Sequence, residues 1–251
     1  MEGRVCIVTG SGQGLGRAFA KHFAELGAIS VIAEINVANA QNVVAEIEDA
    51  GGKALAMETD VADSGSVRAM VERTLDEFER IDVLINNAAL LQSIKRVPVD
   101  QITDDEWDQV IRINVTGAFY CVRAVVPAMR KAGWGRIINL SSDTALLPPP
   151  IPYAHYVTSK AALVGLTREL ARELGADGIT VNAIMPGSTE TEVEGNEMVR
   201  ENRQKNVVPR QCIPRVEVAE DLVGAAAFLA SEEAGFITGQ SLAVNGGIAF
   251  V

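Results

Sequence analysis

The stretch Val5-Cys6-Ile7-Val8-Thr9-Gly10-Ser11-Gly12-Gln13-Gly14-Leu15-Gly16-Arg17-Ala18-Phe19-Ala20 decides the fold. A β-branched apolar run gives way to a glycine cluster, which opens directly into a segment with helical spacing. A strand, a tight glycine turn and a helix N-terminus in that order make a cradle for a pyrophosphate. Glycine permits φ > 0 and close backbone approach, and the helix offers free N–H groups and the positive end of its dipole. A glycine cluster alone marks many turns; this one lies at the first strand–helix junction, which points to a dinucleotide site. On that reading Gly10, Gly12, Gln13, Gly14, Leu15 and Gly16 line the phosphates.

Outward from this stretch, short apolar runs alternate with longer amphipathic ones. Strands are expected at Arg4–Thr9, Ala28–Ala33, Lys53–Glu58, Asp82–Asn86, Arg136–Ser141, Thr180–Met185 and Ser241–Val244. Helices are expected at Gly14–Leu26, Val37–Ala50, Ser64–Phe78, Asp104–Arg130, Tyr153–Leu174 and Val218–Ala230. That alternation implies right-handed βαβ units, a mostly parallel sheet of about seven strands and helices on both faces. With no repeat and no linker-like stretch, residues 1–251 read as one doubly wound α/β domain of Rossmann type. Two stretches break the pattern. The proline run Leu146 to Pro152 makes a rigid loop, and Ser188 to Arg215 is a long charged excursion of the kind that forms lids and binding loops. Both follow strand C-termini, where open α/β sheets bind ligands.

The second strand runs into Glu34. A carboxylate at that edge accepts hydrogen bonds from ribose hydroxyls and repels a 2′-phosphate. No Lys or Arg stands at Ile35 or Asn36, and Ser11 and Gln13 are neutral, so the expected cofactor is NAD rather than NADP.

Composition narrows the function classes. The 251 residues carry 22 Lys+Arg against 33 Asp+Glu, a net charge of -11, which disfavours nucleic acid and anionic membrane surfaces. Apolar residues at 48% and charged residues at 22% describe an ordinary globular chain. The chain enters its first strand at once and apolar runs such as Gly224 to Ala230 fall short of the ~20 residues of a membrane span, so a cytoplasmic protein is expected. Cys6, Cys121 and Cys212 share no ligand spacing and read as reduced, inert thiols; with only His22 and His155 beside them, no metal site is expected.

At this point the chain resembles the short-chain dehydrogenase/reductase family over essentially its whole length. Thr9-Gly10 through Gly14 and Gly16 fit the family's T-G-x-x-x-G-x-G, and Asp60-Val61 fits the acidic residue that holds the adenine amino group. Asn86-Asn87-Ala88-Ala89 corresponds to N-N-A-G behind the cofactor, Asn114 to the helix asparagine, and Tyr156-Val157-Thr158-Ser159-Lys160 to Y-x-x-S-K. Pro186-Gly187 with Thr191 fits P-G-x-x-x-T, whose threonine meets the nicotinamide carboxamide, and Ile237 to Gln240 with Val244 to Gly247 resembles the C-terminal signature. The chain departs at Ala89, at Asn245, at Thr189 near the nicotinamide, and in a Ser142-to-Tyr156 spacing one residue longer than usual. Strand alternation turns only one of Ser141 and Ser142 toward the site; family position favours Ser142.

The resemblance implies cofactor contacts from Gly10, Gly12, Gln13, Gly14, Leu15, Gly16, Glu34, Asp60, Val61, Asn87, Ala88, Tyr156, Lys160, Pro186, Gly187, Thr189 and Thr191, and catalysis by Asn114, Ser142, Tyr156 and Lys160. In chemical terms, a phenol with an ordinary pKa near ~10 needs help to exchange a proton at neutral pH. Lys160, four residues on along a helix, shares the face of Tyr156 and favours its phenolate. Ser142 holds the substrate oxygen, and Asn114 anchors a water leading from Lys160 to solvent. His155, adjacent to Tyr156, points elsewhere and is set aside as the base. Asp143, next to Ser142, is placed to touch substrate but is expected rather on a solvated surface; Tyr153 is a candidate for the pocket entrance, and Trp107 and Trp134 are expected in packing roles.

The expected activity is NAD(H)-dependent interconversion of a secondary alcohol and a ketone. Leu90, Leu91, Leu146, Leu147 and the prolines suggest a small hydrophobic or aromatic substrate. A ketoreductase of acyl or sugar-type substrates is the alternative within the class, and a catalytically silent dinucleotide-binding sensor is the alternative outside it. The resemblance further implies a homotetramer or homodimer built through the helices Asp104–Arg130 and Tyr153–Leu174.

Overall fold

The computed structural model describes residues 1–194 and 197–251. Seven strands form one sheet in the order β3-β2-β1-β4-β5-β6-β9, every neighbouring pair parallel. These are β1 Val5–Thr9, β2 Ile29–Glu34, β3 Lys53–Glu58, β4 Val83–Asn86, β5 Gly135–Leu140, β6 Ile179–Pro186 and β9 Ser241–Val244. A short pair, β7 Thr189–Glu190 and β8 Glu217–Val218, stands apart from it. The helices are α1 Gly14–Glu25, α2 Val37–Asp49, α3 Ser64–Phe78, α4 Asp104–Ile111, α5 Gly117–Ala132, α6 Ala154–Leu174, α7 Glu197–Asn202 and α8 Glu220–Leu229.

Strand alternation divides the apolar residues between two cores. Val5 and Ile7 point to one face with Val67, Met70, Cys121, Val125 and Met129; Cys6 and Val8 point to the other with Phe19, Phe23, Leu222 and Leu229. Burial pushes the Cys121 thiol up to about 12, so it is inert at neutral pH. Cys212 is exposed. The chain winds outward from β1 through β2 to β3, then returns to place β4 on the other side of β1. The reversal leaves a crevice above the C-terminal ends of β1 and β4, where a doubly wound sheet takes its ligand.

Several expectations are corrected. The segment Asp104–Arg130 is not one regular helix: a π-helical turn over Arg112–Thr116 separates α4 from α5. Asp104–Ala132 is long and apolar enough to cross a membrane by length and composition, but its inner residues Val110, Asn114, Gly117, Cys121, Val125 and Met129 are buried within the fold. The excursion Ser188 to Arg215 holds β7, α7 and several single turns; Gly195 and Asn196 within it lie outside the described residues. Strand and helix ends elsewhere move by one or two residues.

Below the sheet, at the end opposite the crevice, Trp134 is stacked between two guanidiniums. Arg4 lies 3.5 Å and Arg136 4.2 Å from its ring centroid, and its Nε1–H donates to Glu232 at 3.2 Å. Replacing Trp134 with Ala is expected to cost about 2–4 kcal/mol, from lost packing and two cation–π contacts. In a domain of this size that is a fall in Tm of roughly 5–10 °C. A shift within about 2 °C would show that the stack contributes little.

Candidate active site

The glycine turn is built for something to lie against it. Gly10 has φ +62, and a Cβ there would come 2.8 Å from Ala88 Cα; at Gly12 it would meet Glu34 Cγ at 2.7 Å, and at Gly16 the Gly10 carbonyl at 2.3 Å. Side chains at these positions would displace β2 and β4, so the backbone stays bare and closely packed. The Thr9 hydroxyl accepts the N–H groups of Asn87 (3.1 Å) and Ala88 (3.0 Å), and the Asn87 amide donates to the carbonyls of Thr9 (2.9 Å) and Gly10 (3.0 Å). Those bonds lock the ends of β1 and β4 together. Thr9 was missed as part of this lock, although a hydroxyl at a strand end beside a glycine turn was visible in the sequence.

Helices α2, α3 and α4 begin with side-chain caps from Asn36, Asp63 and Thr103, whereas Gln13 gives α1 none. The Gly14 N–H instead donates to the carboxylate of Glu192 at 2.9 Å. An anionic group therefore already sits at this helix start, as its dipole favours. The bare cradle and a helix start with no side-chain cap from Gln13 fit the pyrophosphate of a dinucleotide, which would take the Gly14 N–H from Glu192.

At the end of β2, Glu34 is 9% exposed and accepts N–H groups from Gly12 (3.0 Å) and Asn36 (3.0 Å). Among the described residues no Lys or Arg forms an ion pair with it. Arg17 and Lys21, the nearest cations along α1, bind Glu46 instead, Arg17 at 2.7 Å and Lys21 at 2.8 Å. Asp60 follows β3, takes the Ala62 N–H at 2.8 Å and leads into Val61, which packs on Gly117.

On the other side of the crevice the structure gathers Ser142, Tyr156, Lys160 and Asn114. Ser141 is removed from contention: its hydroxyl donates to the Lys160 carbonyl at 2.8 Å, tying β5 to α6. Ser142 comes next and turns the other way, accepting the Thr144 N–H at 3.2 Å and donating to Asp143 at 3.3 Å. Asp143 is therefore not the solvated surface residue expected. It is half-buried, and burial pushes its carboxyl up to about 6.

Tyr156 is 8% exposed, with its ring 4.9 Å from that of Tyr153; Arg96 lies over Tyr153 at 5.1 Å. Lys160 is buried, lies 5.6 Å from the Tyr156 ring centroid and donates to the Leu140 carbonyl at 2.7 Å. Burial pushes its ammonium down to about 8. His155 is buried with Nδ1 accepting the Tyr156 N–H at 2.9 Å, so that nitrogen is committed to the helix.

Asn114 lies in the π-turn. Its Oδ1 accepts the Leu90 N–H at 2.7 Å, and its Nδ2 donates to Ser159 at 3.0 Å and to the Leu90 carbonyl at 3.3 Å. The side chain is thus a clamp joining the loop after β4 to α6, and the extra residue of the π-turn brings it there. Ser159, the clamp's partner, was visible only as the serine of the Y-x-x-S-K pattern.

Pro186 ends β6, and Gly187 and Thr189 follow. Their N–H and hydroxyl both reach Glu217, Gly187 at 3.2 Å to each carboxylate oxygen. Thr191 and Val193 lie against Gly14, their side chains 3.8 and 3.4 Å from where its Cβ would be. Glu217 was missed by sequence reasoning, because an acid between Val216 and Val218 in a charged loop carries no distinguishing signal.

A doubly wound parallel sheet with a glycine cradle at its switch point and a Ser/Tyr/Lys group beside it defines a nicotinamide-dinucleotide oxidoreductase. A family model described as enoyl-(acyl carrier protein) reductase matches residues 10–249. The 3-oxoacyl-[acyl-carrier-protein] reductase FabG of Thermotoga maritima is 34% identical over 248 residues, 99% of this chain and 98% of that protein. The probable galactose dehydrogenase GalD of Rhizobium meliloti is 35% identical over 253 residues, 99% of this chain and 96% of that protein. A short-chain type dehydrogenase/reductase from Mycobacterium marinum superposes with TM-score 0.92 at 30% identity, covering 100% of this chain and 97% of that one. This chain belongs to the short-chain dehydrogenase/reductase family and is an oxidoreductase acting on CH–OH groups.

Proposed function

We propose that this chain uses NAD(H) to interconvert a secondary alcohol and a ketone on a small hydrophobic or aromatic substrate. The observation that carries the reading is the convergence of Ser142, Tyr156 and Lys160 beside the crevice that the glycine cradle lines. Gly10, Gly12, Gln13, Gly14, Leu15 and Gly16 would hold the pyrophosphate, Glu34 the adenosine ribose, and Asp60 and Val61 the adenine. Asn87, Ala88, Pro186, Gly187, Thr189 and Thr191 would hold the nicotinamide end, with Tyr156 and Lys160 at its ribose. When bound, the nicotinamide supplies the two-electron acceptor or donor.

The residues of the chain handle the proton. Tyr156 gives it to, or takes it from, the substrate oxygen, and the Lys160 ammonium favours the phenolate electrostatically. Ser142 hydrogen-bonds the same oxygen. Asn114 holds α6 against the loop after β4, so that Tyr156 and Lys160 keep their places; a water held near it would lead from Lys160 to solvent. The mouth offers Leu146, Leu147 and Ile151 with 38–42% of their surface exposed, an apolar rim for a hydrophobic or aromatic flank.

Residues 1–251 act as one unit, with the described part of segment 188–215 contributing to the substrate side of the site. Exposed Phe119 on α5 and Trp107 on α4 support self-association as a homotetramer or homodimer. Acidic composition and unpaired thiols support a cytoplasmic location.

The alternative is a ketoreductase of acyl or sugar-type substrates. The relatives named above favour it, as does the half-buried carboxyl of Asp143 beside Ser142, which offers an acceptor to substrate hydroxyls. Dinucleotide titration followed by turnover of a panel of aryl, alicyclic, acyl and sugar alcohols and ketones decides between them. Activity confined to the aryl and alicyclic members supports the leading reading. Activity confined to acyl thioesters or sugars overturns its substrate class, and dinucleotide binding with no turnover anywhere moves weight to the sensor.

A further inference from the structure

A carboxylic acid withdrawn from water needs hydrogen bonds or a cation to offset the loss of hydration. Glu217, on β8, is 4% exposed. Its bonds come from the Gly187 N–H and the Thr189 hydroxyl, not from a cation; the nearby Arg215 guanidinium donates to Asp221 at 2.6 Å instead. Glu217 also pairs with Thr189 in the β7–β8 ladder, and its Oε2 lies 2.7 Å from where a Gly187 Cβ would be. From the other side the Arg203 guanidinium donates to the Ser188 hydroxyl at 3.0 Å and to the Thr189 carbonyl at 2.8 Å. The turn after β6 is clamped twice: Glu217 takes its donors and Arg203 takes its acceptors.

We propose that Glu217 is a positioning residue for the nicotinamide side of the site, a latch that fixes the turn Pro186–Thr189 and with it the start of the substrate segment. Its relevance to turnover rests on the proposed reading that this turn meets the nicotinamide. The latch touches neither the reacting atoms nor the Tyr156–Lys160 pair.

The latch is coupled to pH, and the sign follows from linkage. Burial first, then the like charges of Asp143 and Asp221, push Glu217 up to about 7, against the bonds from Thr189 and Gly187 that pull it down. Asp143 faces it from the turn after β5, Asp221 from α8 and Arg215 from its own loop. When the turn opens, Glu217 meets water and returns toward its ordinary value of 4.5. The closed turn is thus favoured most below that ordinary value. The preference is lost as pH rises toward about 7 and is absent above it.

Hydrogen exchange at the amides of Gly187 to Glu190, in the cofactor-free protein and corrected for intrinsic rates, reads the latch directly. From pH 5 to pH 8 the opening equilibrium is expected to rise at least tenfold in the parent chain. In Glu217→Gln, a neutral mimic of the protonated acid, it should change less than about threefold, and in Glu217→Ala it should be high at both pH values. Amides of β1 and β4 serve as the control for intact folding. At pH 8 the Kd for NADH should weaken at least fivefold in Glu217→Ala and stay within about threefold in Glu217→Gln.

A Gln variant that keeps the parent's pH-dependent rise overturns the latch, because another group is then titrating. An Ala variant with parental exchange and parental Kd overturns it as well. If the parent chain binds no NADH, the functional reading fails, while the exchange experiment still judges the latch.

Discussion

Replacing Tyr156 with Phe is expected to lower kcat at least about a hundredfold while leaving the Kd for NADH within about threefold of the parent. The change removes one oxygen and little packing. The ring of Tyr156 lies 4.9 Å from that of Tyr153, and a Phe ring keeps that contact. On the proposed function, what is lost is the group that exchanges a proton with the substrate oxygen, a contribution of about 10²–10⁴ in rate for a positioned acid or base. The neighbouring groups cannot take over. His155 Nδ1 is committed to the Tyr156 N–H, and the Ser142 hydroxyl is engaged with the Asp143 carboxylate, to which it donates at 3.3 Å.

Replacing Lys160 with Met tests the same unit from its other end. Met fills a similar volume but removes the ammonium at 5.6 Å from the Tyr156 ring and its bond to the Leu140 carbonyl. A loss of similar size in kcat is expected, since residues acting as one unit do not contribute additively. The Met variant should also bind NADH more weakly, which the Phe variant should not. A Phe variant that turns over at the parental rate would place the proton-transfer step on another residue.

The parts of the site that were legible in the sequence are those that local chemistry dictates. The glycine cradle reads directly because Gly10 needs φ +62 and because side chains at Gly12 and Gly16 would collide with neighbouring chain. Tyr156 and Lys160 read as a pair because helical spacing alone puts them on one face. Strand alternation leaves one of Ser141 and Ser142 for the site and family position favours Ser142; the bond of the Ser141 hydroxyl to the Lys160 carbonyl, which supports that choice, is tertiary and cannot be read from the sequence.

The π-turn was illegible for the same kind of reason. Arg112-Ile113-Asn114-Val115-Thr116 has ordinary helical composition. The extra residue is there because Asn114 must reach both Leu90 and Ser159, on two other segments of the chain. Asp143 and Glu217 were invisible as buried acids because hydrophobic period says nothing about a charged residue in a loop. Their burial is tertiary: Glu217 on β8 lies against Gly187 after β6 and faces Asp143 after β5. The two-residue strands β7 and β8 are too short for any period to show.

NADPH is expected to bind at least a hundredfold more weakly than NADH, and Glu34→Ser is expected to shrink that difference to under tenfold. Glu34 closes β2, is 9% exposed and offers its two oxygens to the Gly12 and Asn36 amides, beside the place where an adenosine ribose would lie. A 2′-phosphate there would bring roughly two negative charges against a fixed carboxylate. Two unit charges about 4 Å apart repel by about 4 kcal/mol at the effective dielectric near a protein surface, and salt and side-chain movement reduce this. A penalty of about 2.7 kcal/mol remains, which is a hundredfold in Kd. Serine removes the charge, so the gain should fall almost wholly on NADPH, with Kd for NADH weakening only severalfold as the ribose exchanges a carboxylate acceptor for a shorter, neutral hydroxyl. Ile35, next along and 64% exposed, offers a place for a cation. Adding Ile35→Arg to Glu34→Ser should therefore reverse the preference, because a guanidinium pairs with a phosphate in bidentate fashion. Fluorescence titration with both dinucleotides measures all three chains. A parent chain that binds NADPH more tightly than NADH would overturn the reading of Glu34 as the residue that selects NAD.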